Sequence, residues 1–107
     1  MKLLIAYSDR DPCVLEDIKK SYEMSGFPRP DVVIIRKEDL GNVIFDWCNS
    51  MGFKTMVLPL DPLISNEERH KILADYCDGI LCLSSSSGSL DLYNKVVLLN
   101  KMAFKRK

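Results

Sequence analysis

Neither sign of charge is in excess: fifteen Lys and Arg offset fifteen Asp and Glu over 107 residues. A neutral chain has no protein-wide field to gather polyanions, so neither nucleic acid nor an anionic membrane is an expected partner. Long apolar runs are also missing. Nothing approaches the ~20 residues a membrane helix needs, and the run Leu3 to Tyr7 breaks into Ser8, Asp9 and Arg10, too short for a signal core. The expected location is the cytoplasm. Glycine is scarce, with five in the chain, and no G-x-G-x-x-G or Walker lysine is present. Cys13, Cys48, Cys77 and Cys82 lie 35, 29 and 5 residues apart, without C-x-x-C and with His70 as the one histidine. That spacing suits neither zinc nor a disulfide framework, so free thiols in a reducing compartment are expected, with no metal and no cofactor.

What remains is an ordinary core-forming composition. With 47% apolar residues and burial of about 65% of the unfolded surface at this size, one domain spanning 1–107 can fold without staples. The apolar pattern switches between short continuous runs and helical spacing, as a parallel sheet covered by helices does. Strands are predicted at Lys2 to Tyr7, Val32 to Arg36, Thr55 to Leu58, Gly79 to Leu83 and Met102 to Lys105. Four helices separate them. The first starts near Pro12 with Asp11 as cap, turns Val14, Leu15, Ile18 and Tyr22 inward and stops at Gly26. The second runs from about Asp39 to Ser50, burying Val43, Ile44, Trp47 and Met51 before Gly52. The third opens at Ser65 with Glu68 as a capping box and carries Ile72, Leu73 and Tyr76 inward. The fourth begins around Gly88 and carries Leu92, Val96, Val97 and Leu99.

This alternation with right-handed crossovers specifies an α/β three-layer sandwich. Ligands in such open sheets bind at the carboxyl ends of the strands, where strand order reverses. The loops there are Tyr7 to Asp11, Arg36 to Asp39, Pro59 to Pro62 and Ser84 to Ser89. The serine run has two readings. It can cradle a phosphate on backbone N–H groups at a helix start, or it can simply cap the fourth helix. Arg10 and Arg69 can add charge-assisted contacts or form surface ion pairs. His70 has no partner visible in the sequence, so a helix-face role is favoured over a base. Lys101, Lys105, Arg106 and Lys107 form the one charge cluster, which reads as a frayed, solvated tail.

At these same loops the chain resembles the small YspA-type branch of the SLOG superfamily of Rossmann-like nucleotide-binding proteins, relatives of the LOG phosphoribohydrolases. Met1 to Arg10, MKLLIAYSDR, is similar to that branch's first strand followed by Gly-Ser-Arg. Ile44 to Phe53, with Trp47 before Gly52, is similar to its second helix, and Leu58-Pro59-Leu60-Asp61 to its F-P-A-D element. Arg69-His70 falls at its Arg-Asn, Asp78 to Leu83 at its A-D-A-L-I-A-F strand, and Gly88-Ser89 at the Gly-Thr opening the last helix. The resemblance implies five parallel strands in order 3-2-1-4-5 with four helices, whereas periodicity permits a flavodoxin-like 2-1-3-4-5 equally well. Two departures stand out. The branch's Gly-Gly-Ala-x-Gly-Ala-Asp loop is replaced by Arg36 to Asn42, and the catalytic Glu that LOG enzymes place four residues after the final-helix Gly is Leu92.

The function expected is binding or sensing of a nucleotide or nucleotide-derived anion without catalysis, since leucine is neither nucleophile nor base. The expected ligand residues are Tyr7, Ser8, Arg10, Asp61, Arg69, His70, Ser86, Ser87, Gly88 and Ser89, with Tyr7 available for stacking. The alternatives are an N-glycosidic hydrolase or transferase, a receiver-like domain using Asp9, Asp11, Asp61, Ser84 and Lys105, and a protein-interaction module. A homodimer is compatible with the neutral charge.

Overall fold

The computed structural model describes residues 1–9 and 13–106. Five strands, β1 (Lys2–Ala6), β2 (Val32–Ile34), β3 (Thr55–Met56), β4 (Gly79–Cys82) and β5 (Met102–Lys105), pair in parallel in the order β3-β2-β1-β4-β5. The chain builds outward from β1 through β2 to β3, then returns to lay β4 on the other side of β1. The reversal therefore lies between β1 and β4, where Ala6 sits opposite Cys82. This is a Rossmann-like sheet, and it excludes the flavodoxin-like order on which the receiver-like alternative leaned.

Strand alternation divides the apolar residues between two cores. Leu3, Ile5, Val33, Leu81 and Leu83 point to the side of α1 (Leu15–Ser25) and α2 (Val43–Met51), where Ile18, Ile44 and Trp47 meet them. Trp47 packs edge-on to Tyr22 and Phe53 with centroids 5.4 Å away, a core residue as its helical spacing predicts. Leu4, Ala6, Ile34, Ile80 and Cys82 point the other way, to α3 (Asn66–Tyr76) and α4 (Ser87–Leu98). All four cysteines are free and buried; desolvation pushes the Cys48 thiol up to about 11, so it behaves as a small apolar side chain.

Several expectations shift at element ends. Val14 precedes α1 with extended backbone, so its side chain leaves the helical stripe and is 64% exposed; the expected Asp11 cap and Pro12 start lie outside the described residues. Residues Lys37–Asp39 form a separate 3-10 turn, and α2 begins only after Gly41, at φ 86°, and the cap Asn42, whose side chain accepts from Ile44 N–H at 2.9 Å. Ile72, Val97 and Leu99 are exposed rather than inward, because the buried stripes run through Ala74 on α3 and through Leu92 and Val96 on α4. The basic tail is not frayed as far as Arg106. Lys101 Nζ donates to the carbonyls of Ala74, Asp75 and Cys77 at 2.6–2.7 Å, closing the C-terminal end of α3. Arg106 donates to the Leu83 carbonyl at 3.0 Å and pairs with Asp17, and Lys105 stands over the Tyr93 ring. Among the described residues no helix is long and apolar enough to cross a membrane.

Candidate functional site

β1, β2, β3 and β4 each end one or two residues before the predicted boundary. Beyond them the chain opens into a cavity of about 450 Å³, within the size range of small-ligand sites. Its floor is apolar: Leu4, Ala6 and Ile34 from the sheet, Leu73 from α3 and Leu92 from α4. Arg69 and His70 from α3 and Ser86, Gly88 and Ser89 from the start of α4 form its polar side. Arg36 to Glu38 and Val57 to Leu60 close it from the loops after β2 and β3.

The serine run resolves into a built cap. Ser86 Oγ accepts from Ser89 N–H at 3.3 Å and bonds Ser89 Oγ at 2.9 Å, while Ser84 Oγ accepts from Ser86 N–H at 3.1 Å. These hydroxyls are spent on the turn. What the turn leaves open are the N–H groups of Ser87 and Gly88, the first two of α4, which have no partner among the described residues. Free first-turn N–H groups at the positive end of a helix are the groups that hold anions. A Cβ built at Gly88 would meet only His70 Cε1, at 4.0 Å, so the first turn stays open to approach.

Arg69 lines the same cavity. Its Nε is buried with no hydrogen-bond partner, and the guanidinium forms no ion pair among the described residues. A buried donor without a partner costs ~1 to 3 kcal/mol, which an anionic ligand would recover. Arg36 is different: it is locked to Asp39, with Nη2 to Oδ1 at 2.9 Å and Nε to Oδ2 at 3.3 Å. Asp39 is fully buried and also accepts from Asn42 Nδ2 at 3.0 Å, so this loop is tied down internally. Arg36 is a wall, not a free cation.

His70 has the partner that the sequence did not reveal. Its Nδ1 lies 2.7 Å from Asp91 Oδ2, across the α3–α4 interface. Lys95 Nζ donates to both Asp91 oxygens at 2.9 Å and reaches Glu67 at 3.1 Å. Hydrogen bonds from His70 and then from Lys95 hold the Asp91 carboxyl below the usual carboxylate range. A pair 21 residues apart on two helices has no sequence signature, and only helix packing brings it together.

Of the expected ligand residues, Tyr7, Ser8, Arg69, His70, Ser86, Gly88 and Ser89 line the cavity. Three qualifications follow from geometry. Tyr7 alternates to the α1/α2 side, is 6% exposed and packs in that core, so it offers no open face for stacking. Asp61 does not line the cavity; its carboxylate accepts from Leu63 N–H at 2.9 Å in its own exposed turn. Ser87 does not line the cavity. Arg10 lies outside the described residues. Burial, then the neighbouring acidic groups Cys13, Asp9 and Asp39, push the Tyr7 phenol up and keep it protonated. Residues that sequence reasoning left out of the site are Arg36 to Glu38, Val57 to Leu60 and the floor residues. Their loops follow β2 and β3, which is the signal that marked them for inspection. Among the described residues no three His, Cys, Asp or Glu side chains gather in a metal-binding group.

Set against family models, curated proteins and solved structures, the chain finds no match in any of the three comparisons.

Proposed function

We propose that this chain binds or senses a nucleotide or nucleotide-derived anion in the crevice at the carboxyl edge of β1 and β4. The observation that carries this reading is that Arg69, with its unpartnered buried Nε, and Gly88, whose N–H has no partner among the described residues, line one apolar-floored cavity. The polar side suits a phosphate and the floor suits a flat, weakly polar group such as a base. The resemblance to the YspA-type branch of the SLOG superfamily supports the same ligand class, and the strand order it implied is the order found. N-glycosidic cleavage falls outside the proposal. Leu92 lies in the floor where that chemistry needs a carboxyl group, and Asp91 on the adjacent position turns away to His70 and Lys95.

Calorimetry against nucleotides, cyclic nucleotides and ADP-ribose derivatives tests the reading, with Gly88→Asp as the control. The added carboxylate occupies the anion's place, yet acid in the first turn of a helix is favourable to the fold. Ligand affinity should therefore collapse while the melting temperature holds or rises. Absence of binding across the panel, or binding indifferent to Gly88→Asp, would leave the serine turn as a helix cap and favour a protein-interaction role.

A further inference from the structure

Resting on the binding reading above, the geometry points to an activity in the same crevice: hydrolysis of a phosphoester bond of the bound nucleotide, with His70 as general base and Asp91 as its positioning residue. Asp91, kept ionised by its hydrogen bonds, can only accept, so His70 Nδ1 carries the hydrogen of the 2.7 Å contact. In the neutral ring the lone pair then sits on Nε2. Nε2 has no partner among the described residues, and the ring lines the cavity. A base fixed in one tautomer by a carboxylate, with its other nitrogen unpartnered and its ring on a cavity wall, is arranged to take a proton from water. The carboxylate is fixed in its turn by Lys95, which Glu67 holds from α3.

The position of the ring selects the bond. His70 Cε1, the carbon between the two ring nitrogens, lies 4.0 Å from a Cβ built at Gly88. The ring therefore stands beside Gly88 in the first turn of α4, where the proposed phosphate rests. In the step, a water oxygen attacks phosphorus and forms the new P–O bond as its proton passes to Nε2. The bond to the leaving oxygen, on the far side of phosphorus from the attacking water, breaks with its electron pair; that oxygen takes a proton from solvent, and the imidazolium releases its own proton to solvent. Nothing is oxidised or reduced, and water is the one co-reactant. Charge developing on the phosphoryl oxygens falls against Gly88 N–H and Arg69. The charged groups that contact His70 through its network or line the cavity with it are Asp91 and Lys95 from α4, Glu67 and Arg69 from α3, and Arg36, Lys37 and Glu38 from the loop after β2.

The experiment pairs calorimetry with chromatographic product analysis on the purified full chain, using AMP, 3′-AMP and cyclic AMP, which carry phosphoester bonds and no phosphoanhydride. Wild type should bind and hydrolyse at least one of them. His70→Gln should cut turnover by about one hundred- to ten-thousand-fold while the calorimetric affinity for that nucleotide stays close to wild type. Asp91→Asn should lower kcat with little change in KM and displace the acidic limb of the pH–rate profile, where the base must lose its proton to act, and Asp91→Glu should restore part of the rate; a purely structural role would move neither the profile nor the kcat-to-KM split. Binding by wild type without hydrolysis of any of the three overturns the proposal and leaves the binding reading standing. Hydrolysis that His70→Gln leaves intact, or release of free base in place of phosphoester cleavage, overturns it as well. Absence of binding to all three overturns it too, while the binding reading falls only if the wider panel of nucleotides, cyclic nucleotides and ADP-ribose derivatives also fails to bind.

Discussion

At the scale of single residues, two arginines on one cavity wall have opposite roles because of their partners. Arg36 and Asp39 satisfy each other, and Asp39, fully buried, also anchors Asn42, the cap of α2. Asp39→Ala removes charge-assisted bonds worth ~1.5 to 3 kcal/mol each in gross terms and leaves a cap unsupported. Partial exposure of Arg36 lets water recover part of that, so a net loss of about 2 kcal/mol and a clearly lowered thermal midpoint are expected. A midpoint within a degree or two of wild type would mean that the buried carboxylate is structurally idle. Arg69 makes no such bond to the fold. Arg69→Ala should then leave the midpoint nearly unchanged, or raise it, while weakening nucleotide affinity tenfold or more, in line with ~1.5 to 3 kcal/mol for a charge-assisted contact. Equal losses in stability and affinity would show that Arg69 serves the core instead.

At the scale of elements, α3 packs mainly on α4, and the space between these helices and the sheet is the cavity. The angle of α3 therefore matters for the site, and its C-terminal end is held from the other side of the sheet's reversal. Lys101, in the turn between α4 and β5, donates to three carbonyls where α3 ends, satisfying groups that a helix leaves open and opposing the negative end of its dipole. Lys101→Met keeps the aliphatic stem and removes the donor. It should cost about 1 to 2 kcal/mol, read as faster amide hydrogen exchange concentrated in Ala74 to Cys77. Exchange that changes uniformly across the chain would argue against a local clamp.

At the scale of the whole molecule, β5 completes the sheet. It pairs along all of β4, places Phe104 on the α1/α2 core and Ala103 on the α3/α4 core, and continues into the Arg106 N–H bond to Cys82. Without it the fully buried β4 becomes an open edge, an aggregation-prone state. A chain ending at Lys101 should lose its cooperative melt by circular dichroism and pass into the insoluble fraction. A soluble truncated protein with a sharp transition would show that four strands suffice.

The amino-acid order itself determined what short-range physics can encode. Apolar runs and helical spacing located five strands and four helices, Ser65 and Ser86 supplied caps because hydroxyls accept first-turn N–H groups, and Leu92 removed a carboxyl group from the cavity floor. Tertiary structure decided everything that depends on which elements become neighbours. Periodicity permitted two strand orders, and pairing chose the one that sets β4 beside β1. The pairing of His70 with Asp91, the locking of Arg36 by Asp39 within a turn split from α2, and the reach of Lys101 to α3 could not be read from local pattern. The one-residue alternation that sends Tyr7 away from the ligand face became visible only once the helices had taken their sides of the sheet. Propensity and spacing act over a few residues, whereas these contacts follow from crossovers and packing, whose outcome is written in the sum of many weak choices rather than in any one segment.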